Sequence, residues 1–231
     1  MAAPRISRLG EHAWLVAYEP RLDVEINARV TALAGHVRAQ QWPGVRDVVP
    51  GAATLVVHLA QNADSTRIAE ALRALASSTE PPALDRVAPL IEVPVCYGGQ
   101  FGPDLPYVAR HAALPVDEVV RRHASTEYRV FMLGFLPGFP YLGVVDPALH
   151  VGRHAVPRTR VPAGSVGLAG QQTGIYPADS PGGWQIIGRT PLRLFDPAAS
   201  PPALLQAGDH VRFVPVSARV FAAADSDVQR P

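Results

Sequence analysis

The sequence predicts two domains of different class: an α+β N-terminal domain over residues 1–88 and an all-β domain over residues 89–231. Glycine predicts the division first. Only Gly10, Gly35, Gly44 and Gly51 precede residue 96, and fifteen of the 19 follow it. Proline divides the same way, eight before and sixteen after of 24. Long helical periodicity is confined to the first part, whereas the second alternates short apolar runs with Gly/Pro turns.

The N-terminal elements follow in order. Ala13 to Tyr18 (AWLVAY) reads as a strand. From Ile26, apolar residues recur at Val30, Leu33 and Val37, one face of a helix that Pro43-Gly44 ends. Val45–Val49 and Thr54–Leu59 read as strands joined by a tight turn at Pro50-Gly51, where Pro presets φ and Gly tolerates φ > 0. Ser65 is the expected N-cap of a helix carrying Ile68, Leu72 and Leu75, and Leu90–Val95 reads as a closing strand. The order strand-helix-strand-strand-helix-strand is the split βαβ pattern of a ferredoxin-like domain; another α+β packing of the same elements is the alternative.

Next come two short helices, Leu105–Ala113 and Pro115–His123, the second with Pro in its first turn. From Tyr128 on, YRVFMLGF, SVGLAG, GWQIIG, LRLFDP and HVRFVPV read as strands, and a compact barrel or sandwich closes them.

Composition excludes several chemistries. Hydrophobic residues are 48% and charged ones 18%, enough apolar surface for a packed core. The net charge of +1 offers no field for nucleic acid or anionic membrane. All 21 basic residues are Arg, so neither a P-loop lysine nor a Schiff-base amine exists here. Bound anions fall to Arg forks, backbone N–H groups or helix N-termini. One cysteine, Cys96, allows no internal disulfide. No apolar run approaches membrane-span length, and Met1–Gly10 lacks a signal-peptide core, so the expectation is a cytoplasmic protein.

Three segments stand out. Gly134–Tyr141 (GFLPGFPY) sets Phe135, Phe139 and Tyr141 among stiffening prolines and permissive glycines. It reads as a rigid aromatic pocket wall or as a hairpin corner plugging a barrel end. Pro157–Thr173 (PRTRVPAGSVGLAGQQT) places Arg158 and Arg160 on one side of an extended segment, as an anion clamp or as a solvated strand. It adds Gly164, Ser165, Gln172 and Thr173 as N–H, hydroxyl and amide groups. Gly174–Pro191 delivers Trp184 from a Ser-Pro-Gly-Gly turn, to stack on a planar ligand or to cap the core, with Arg189 beyond it. His123 reads as a general base or as a satisfied structural group. His150 and His154 lack a third ligand or a Cys cluster, so no metal site is predicted. Ser165 stands in GSVG, which is not a GxSxG elbow.

EYRVFMLGFLPGFPYLG, PRTRVPAGSVGLAGQQTGIYP and SPGGWQIIGRTPLRLFDP, with EVPVCYGGQFGPDL before them, closely resemble the family of KipI, the 5-oxoprolinase B-subunit family, also labelled allophanate hydrolase subunit 1. The resemblance covers about residues 5–215. It implies a small α+β domain followed by a cyclophilin-like β-barrel. It implies an enzyme component inactive alone, acting with a sister chain of the KipA, or 5-oxoprolinase C-subunit, family and a lactam-utilisation-type third protein. Together these open 5-oxoproline to L-glutamate with ATP as co-substrate. Two other readings come with it: a regulatory protein inhibiting a sensor histidine kinase, and a carboxyltransferase component (subdomains C and D) of a urea carboxylase or allophanate-type system. Under the oxoprolinase reading, Arg158, Arg160 and Arg189 face developing negative charge, aided by backbone N–H groups at Gly164-Ser165 and Gly182-Gly183. The small ring sits against Phe135, Phe139 or Tyr141, and His123 is the candidate for proton transfer.

Overall fold

The computed structural model describes residues 3–79 and 90–228. They form two compact units, each with its own apolar core. The boundary expected at residues 88–89 lies outside the described residues.

The N-terminal unit contains β1 (Arg5–Arg8), β2 (Ala13–Ala17), α1 (Val24–Gln40), β3 (Val45–Pro50), β4 (Thr54–Leu59) and α2 (Ser65–Ser78). Its sheet is antiparallel throughout, in the order β1-β2-β4-β3. Alternation along β4 buries Leu55, Val57 and Leu59, which share a core with Val30, Leu33 and Val37 of α1 and Ile68 and Leu72 of α2. Asp23 starts α1 by accepting the N–H groups of Glu25 and Ile26 at 2.9 and 3.1 Å. The cap of α2 is Asp64, not Ser65: its carboxylate accepts from the Arg67 N–H at 3.0 Å. Ser65 is engaged instead by the Trp14 indole, which donates to its Oγ at 3.1 Å.

The ferredoxin-like layout has one substitution. Leu90–Val95 is a strand, but it belongs to the barrel, and β1 takes the sheet edge beside β2. The stretch RISR carries no sign of this, because Ile6 is its one apolar residue.

The second unit comprises β5 (Leu90–Tyr97), α3 (Leu105–Ala112), α4 (Val116–Ser125), β6 (Glu127–Leu133), β7 (Pro140–Gly143), a single 3₁₀ turn (Pro147–Leu149), β8 (Arg158–Val161), β9 (Ser165–Ala169), β10 (Gln172–Ile175), β11 (Ser180–Gly182), β12 (Gln185–Arg189), β13 (His210–Pro215) and α5 (Ala218–Val228). Seven strands close a barrel in the order β10-β7-β6-β13-β5-β12-β9, with β10 returning to β9. Closure removes free edges, and it settles the choice between barrel and sandwich. The seam between β5 and β13 is parallel, from Leu90 opposite His210 to Val95 opposite Pro215. β8 and β11 pair separately as a two-stranded ribbon.

Two further expectations change. LRLFDP forms no strand; Phe195 makes one isolated bridge to Ala203, and Pro191 and Pro197 remove ladder donors at both ends. The helix α5 follows the last strand, where only strands were expected. Among the described residues no helix is long and apolar enough to cross a membrane.

Candidate functional site

The loop between β6 and β7, the ribbon and the start of β12 meet at an aromatic hollow of about 240 Å³. Phe135, Phe139, Tyr141, Tyr176 and Trp184 wall it, and Arg153 is the one charged side chain lining it among the described residues. The rings pack edge to face. Phe139 lies 5.1 Å from Tyr176 and 5.6 Å from Trp184 between centroids, at 88° and 82°, and Tyr141 lies 5.8 Å from Trp184. Phe139, Tyr176 and Trp184 are buried, whereas Phe135 stands 61% exposed at the lip. Both readings of GFLPGFPY hold: it is a hairpin corner, and its rings line a hollow.

Glycines make the close approach possible. A Cβ on Gly182 would sit 2.4 Å from the Tyr176 hydroxyl oxygen, and one on Gly174 would meet the Phe139 ring at 3.0 Å. The backbone N–H of Trp184 donates to the Tyr176 hydroxyl, fixing it under the ribbon. Burial pushes the Tyr176 and Tyr141 hydroxyls above their usual range, and the positive charge of Arg153 pulls both partly back.

Beside the hollow lies a charged hub. Asp104, buried at the start of α3, accepts from Arg158 Nη2 at 2.5 Å and from the Ile186 N–H at 2.6 Å. His154 Nε2 lies 2.7 Å from Arg158 Nη1 and 3.2 Å from Asp104 Oδ2. One ring nitrogen cannot accept from Arg158 and donate to Asp104 together; the shorter contact corresponds to a neutral ring protonated at Nδ1. The His154 backbone N–H donates to the Gly183 carbonyl at 2.7 Å, tying this hub to the hollow's wall.

The other expected cations do not join Arg158. Arg160 is exposed and pairs with Asp179 at 2.6 Å. Arg189 donates to the Ala163 carbonyl at 2.7 Å and lies over the Phe221 ring. Arg158 and Arg160 leave the same strand, yet each is held by its own carboxylate, so they form no shared clamp. Nor do the expected N–H donors stand free. The Gly164 N–H donates to the Tyr176 carbonyl at 2.7 Å, and that of Ser165 to Pro162 at 3.2 Å. Gly164, at φ +79°, serves packing: a Cβ there would lie 2.2 Å from the Thr190 carbonyl oxygen. Gln172 sits in β10 opposite Gly143, its Nε2 buried without a partner.

His123 is fully buried in the barrel core, stacked on Phe213 at 4.5 Å. The Thr173 hydroxyl donates to the Gly167 carbonyl at 3.0 Å, so it accepts from His123 Nε2 at 2.9 Å. Nδ1 is then the acceptor for the Tyr97 hydroxyl at 2.7 Å. Burial lowers the His123 pKa to about 3, so the ring is neutral and saturated with partners. It does not line the hollow, and its role as a proton-transfer group is replaced by a structural one shared with Thr173.

Sequence reasoning missed Arg153, Tyr176, Asp104 and His154 as site-forming residues. Tyr176 was within reach, since it stands in the GIYP stretch of the third unusual segment. Among the described residues no group of His, Cys, Asp or Glu gathers to hold a metal ion.

Known proteins share this fold and sequence. The family model described as "Carboxyltransferase domain, subdomain C and D" matches residues 4–205. The chain is 46% identical over 215 residues to the 5-oxoprolinase B subunit of Escherichia coli O157:H7, covering 93% of this chain and 97% of that one. It is 39% identical over 227 residues to the 5-oxoprolinase B subunit of Bacillus subtilis (strain 168), covering 94% and 95%. The crystal structure of TTHA0988 matches with a TM-score of 0.79 at 37% identity over 89% of this chain, which spans 40% of that longer one.

Proposed function

The chain belongs to the carboxyltransferase subdomain C and D family, among the 5-oxoprolinase B subunits, and on that premise we propose that it is the lactam-handling component of a multi-chain, ATP-dependent 5-oxoprolinase. One observation carries this reading. Three separated segments, around Phe139, Tyr176 and Trp184, converge on a single hollow sized for one small planar ring. At about 240 Å³ it is below the roughly 300–1,000 Å³ of sites for larger ligands. Flat faces suit the planar amide of a five-membered lactam.

The partners in this reading are a sister C subunit and a lactam-utilisation-type protein, and ATP is the co-substrate of their complex, in the cytoplasm. An unstrained lactam resists water because its nitrogen is a poor leaving group. Transfer of the γ-phosphoryl group to the lactam oxygen releases ADP and activates the ring carbon. Water adds there, the C–N bond breaks to give γ-glutamyl phosphate, and a second water releases phosphate and glutamate. Within this chain, the aromatic wall holds the ring and excludes water from its faces. Arg158 acts through Asp104 as a positioning residue for that wall. Arg160, Arg189 and His123 stand outside the hollow and take no part in contacting the ring.

The test is reconstitution. The purified chain, its sister subunit and the lactam-utilisation protein are mixed with 5-oxoproline and ATP, and glutamate and ADP are measured with each component omitted in turn. Equal release of both products only in the full mixture is expected. Undiminished glutamate release without this chain contradicts the proposal. Turnover of urea in place of 5-oxoproline assigns it to the carboxyltransferase side of the family instead.

A further inference from the structure

We propose that Arg153 makes the hollow selective for a small planar ring bearing a carboxylate, with the guanidinium taking the carboxylate while the ring lies among Phe139, Tyr141 and Trp184. This rests on the hollow being the lactam site, and it adds which end of the substrate is read and by what.

Most other cations of this unit are already paired. Arg121 and Arg122 pair with Glu118, Arg158 with Asp104, Arg160 with Asp179, Arg193 with Asp196 and Arg212 with Glu92. Arg153 has no carboxylate partner and no hydrogen bond among the described residues. Its guanidinium instead lies over the Trp184 ring, 5.9 Å from the centroid. That placement leaves the N–H fork without a protein acceptor, at the edge of an otherwise uncharged cavity. A planar fork matches a carboxylate in two parallel hydrogen bonds, and apolar walls strengthen the pair by thinning the water around it.

The hub supplies the order such a contact needs. His154, next in sequence, is held at its backbone by Gly183 and at its ring by Arg158, so the base of the Arg153 side chain is fixed beside Trp184. A neutral lactam or urea offers the ring contacts but no partner for the fork. The hollow therefore separates 5-oxoproline from uncharged amides by charge rather than by size.

The three indole N–H groups of the purified chain give separate nitrogen–proton NMR signals, and Trp184→Phe identifies that of Trp184. The chain is titrated with 5-oxoproline and with 2-pyrrolidinone, the same ring without the carboxylate. Both ligands are expected to shift the Trp184 signal. Arg153→Met is expected to weaken 5-oxoproline at least about tenfold and leave 2-pyrrolidinone unchanged. Arg153→Met binding 5-oxoproline as tightly as the parent overturns the selectivity while the lactam site stands. A Trp184 signal that responds to neither ligand overturns both.

Discussion

Arg158 Nη2 donates to Asp104 Oδ1 at 2.5 Å, joining β8 to the start of α3 across 54 positions of sequence. The carboxylate is only 9% exposed, so removing the guanidinium leaves a nearly buried charge short of its cation. Arg158→Ala is expected to cost about 3 kcal/mol in urea denaturation. The double variant with Asp104→Ala should cost less than the two single changes summed, by about 1–3 kcal/mol. Arg160→Ala, whose pair with Asp179 is 76% exposed on the Arg side, should cost under about 1 kcal/mol. Equal costs at Arg158 and Arg160 would show that the hub holds nothing.

The buried imidazole of His123 makes stability depend on acid. Its pKa falls to about 3 in the fold, while the unfolded chain takes up a proton near the usual 6.5. Between those values the unfolded state binds the extra proton, so stability is full above about pH 6.5 and declines as pH falls toward 3. The slope from this residue reaches about 1 kcal/mol per pH unit. His123→Gln should be less stable at pH 7 yet lose that part of the slope. Identical slopes in urea midpoints across pH would contradict a neutral, buried ring.

Much of the hollow was legible because its walls are written in unusual residues. Phe139, Tyr141 and Trp184 stand among Gly and Pro spacings that ordinary core strands avoid. Arg153 was not legible, since only contact with Trp184 separates it from any loop arginine. Asp104 escaped for a related reason: its N–H partner, Ile186, is 82 positions away. The first domain's closing strand was misassigned because β5 finds its partner at β13, over a hundred residues later, while the true edge strand β1 carries almost no apolar pattern. Local periodicity reports element type, and long-range pairing decides which sheet receives the element.

Gly164 and Gly10 both have positive φ, +79° and +63°, but in different surroundings. Nothing lies within 4 Å of a Cβ at Gly10, so Gly10→Ala should cost only about 1 kcal/mol of backbone strain. At Gly164 the added Cβ would meet the Thr190 carbonyl oxygen at 2.2 Å, and backbone must move. Gly164→Ala should cost at least about 3 kcal/mol, read as a loss of thermal midpoint. Similar losses at both glycines would contradict the packing role assigned to Gly164.

The central claim, that the aromatic hollow receives the lactam, is tested most directly at Phe135. Its φ of +67° is strained for a bulky residue, and its ring is mostly exposed at the lip. Phe135→Gly should therefore stabilise the chain by about 1 kcal/mol while removing one aromatic wall. The measurement is kcat/KM for 5-oxoproline in the reconstituted complex carrying this variant, with unfolding followed in parallel. A fall of about fivefold or more alongside an unchanged or raised unfolding midpoint is the predicted result. Turnover equal to that of the parent complex would contradict the assignment of the hollow as the lactam site.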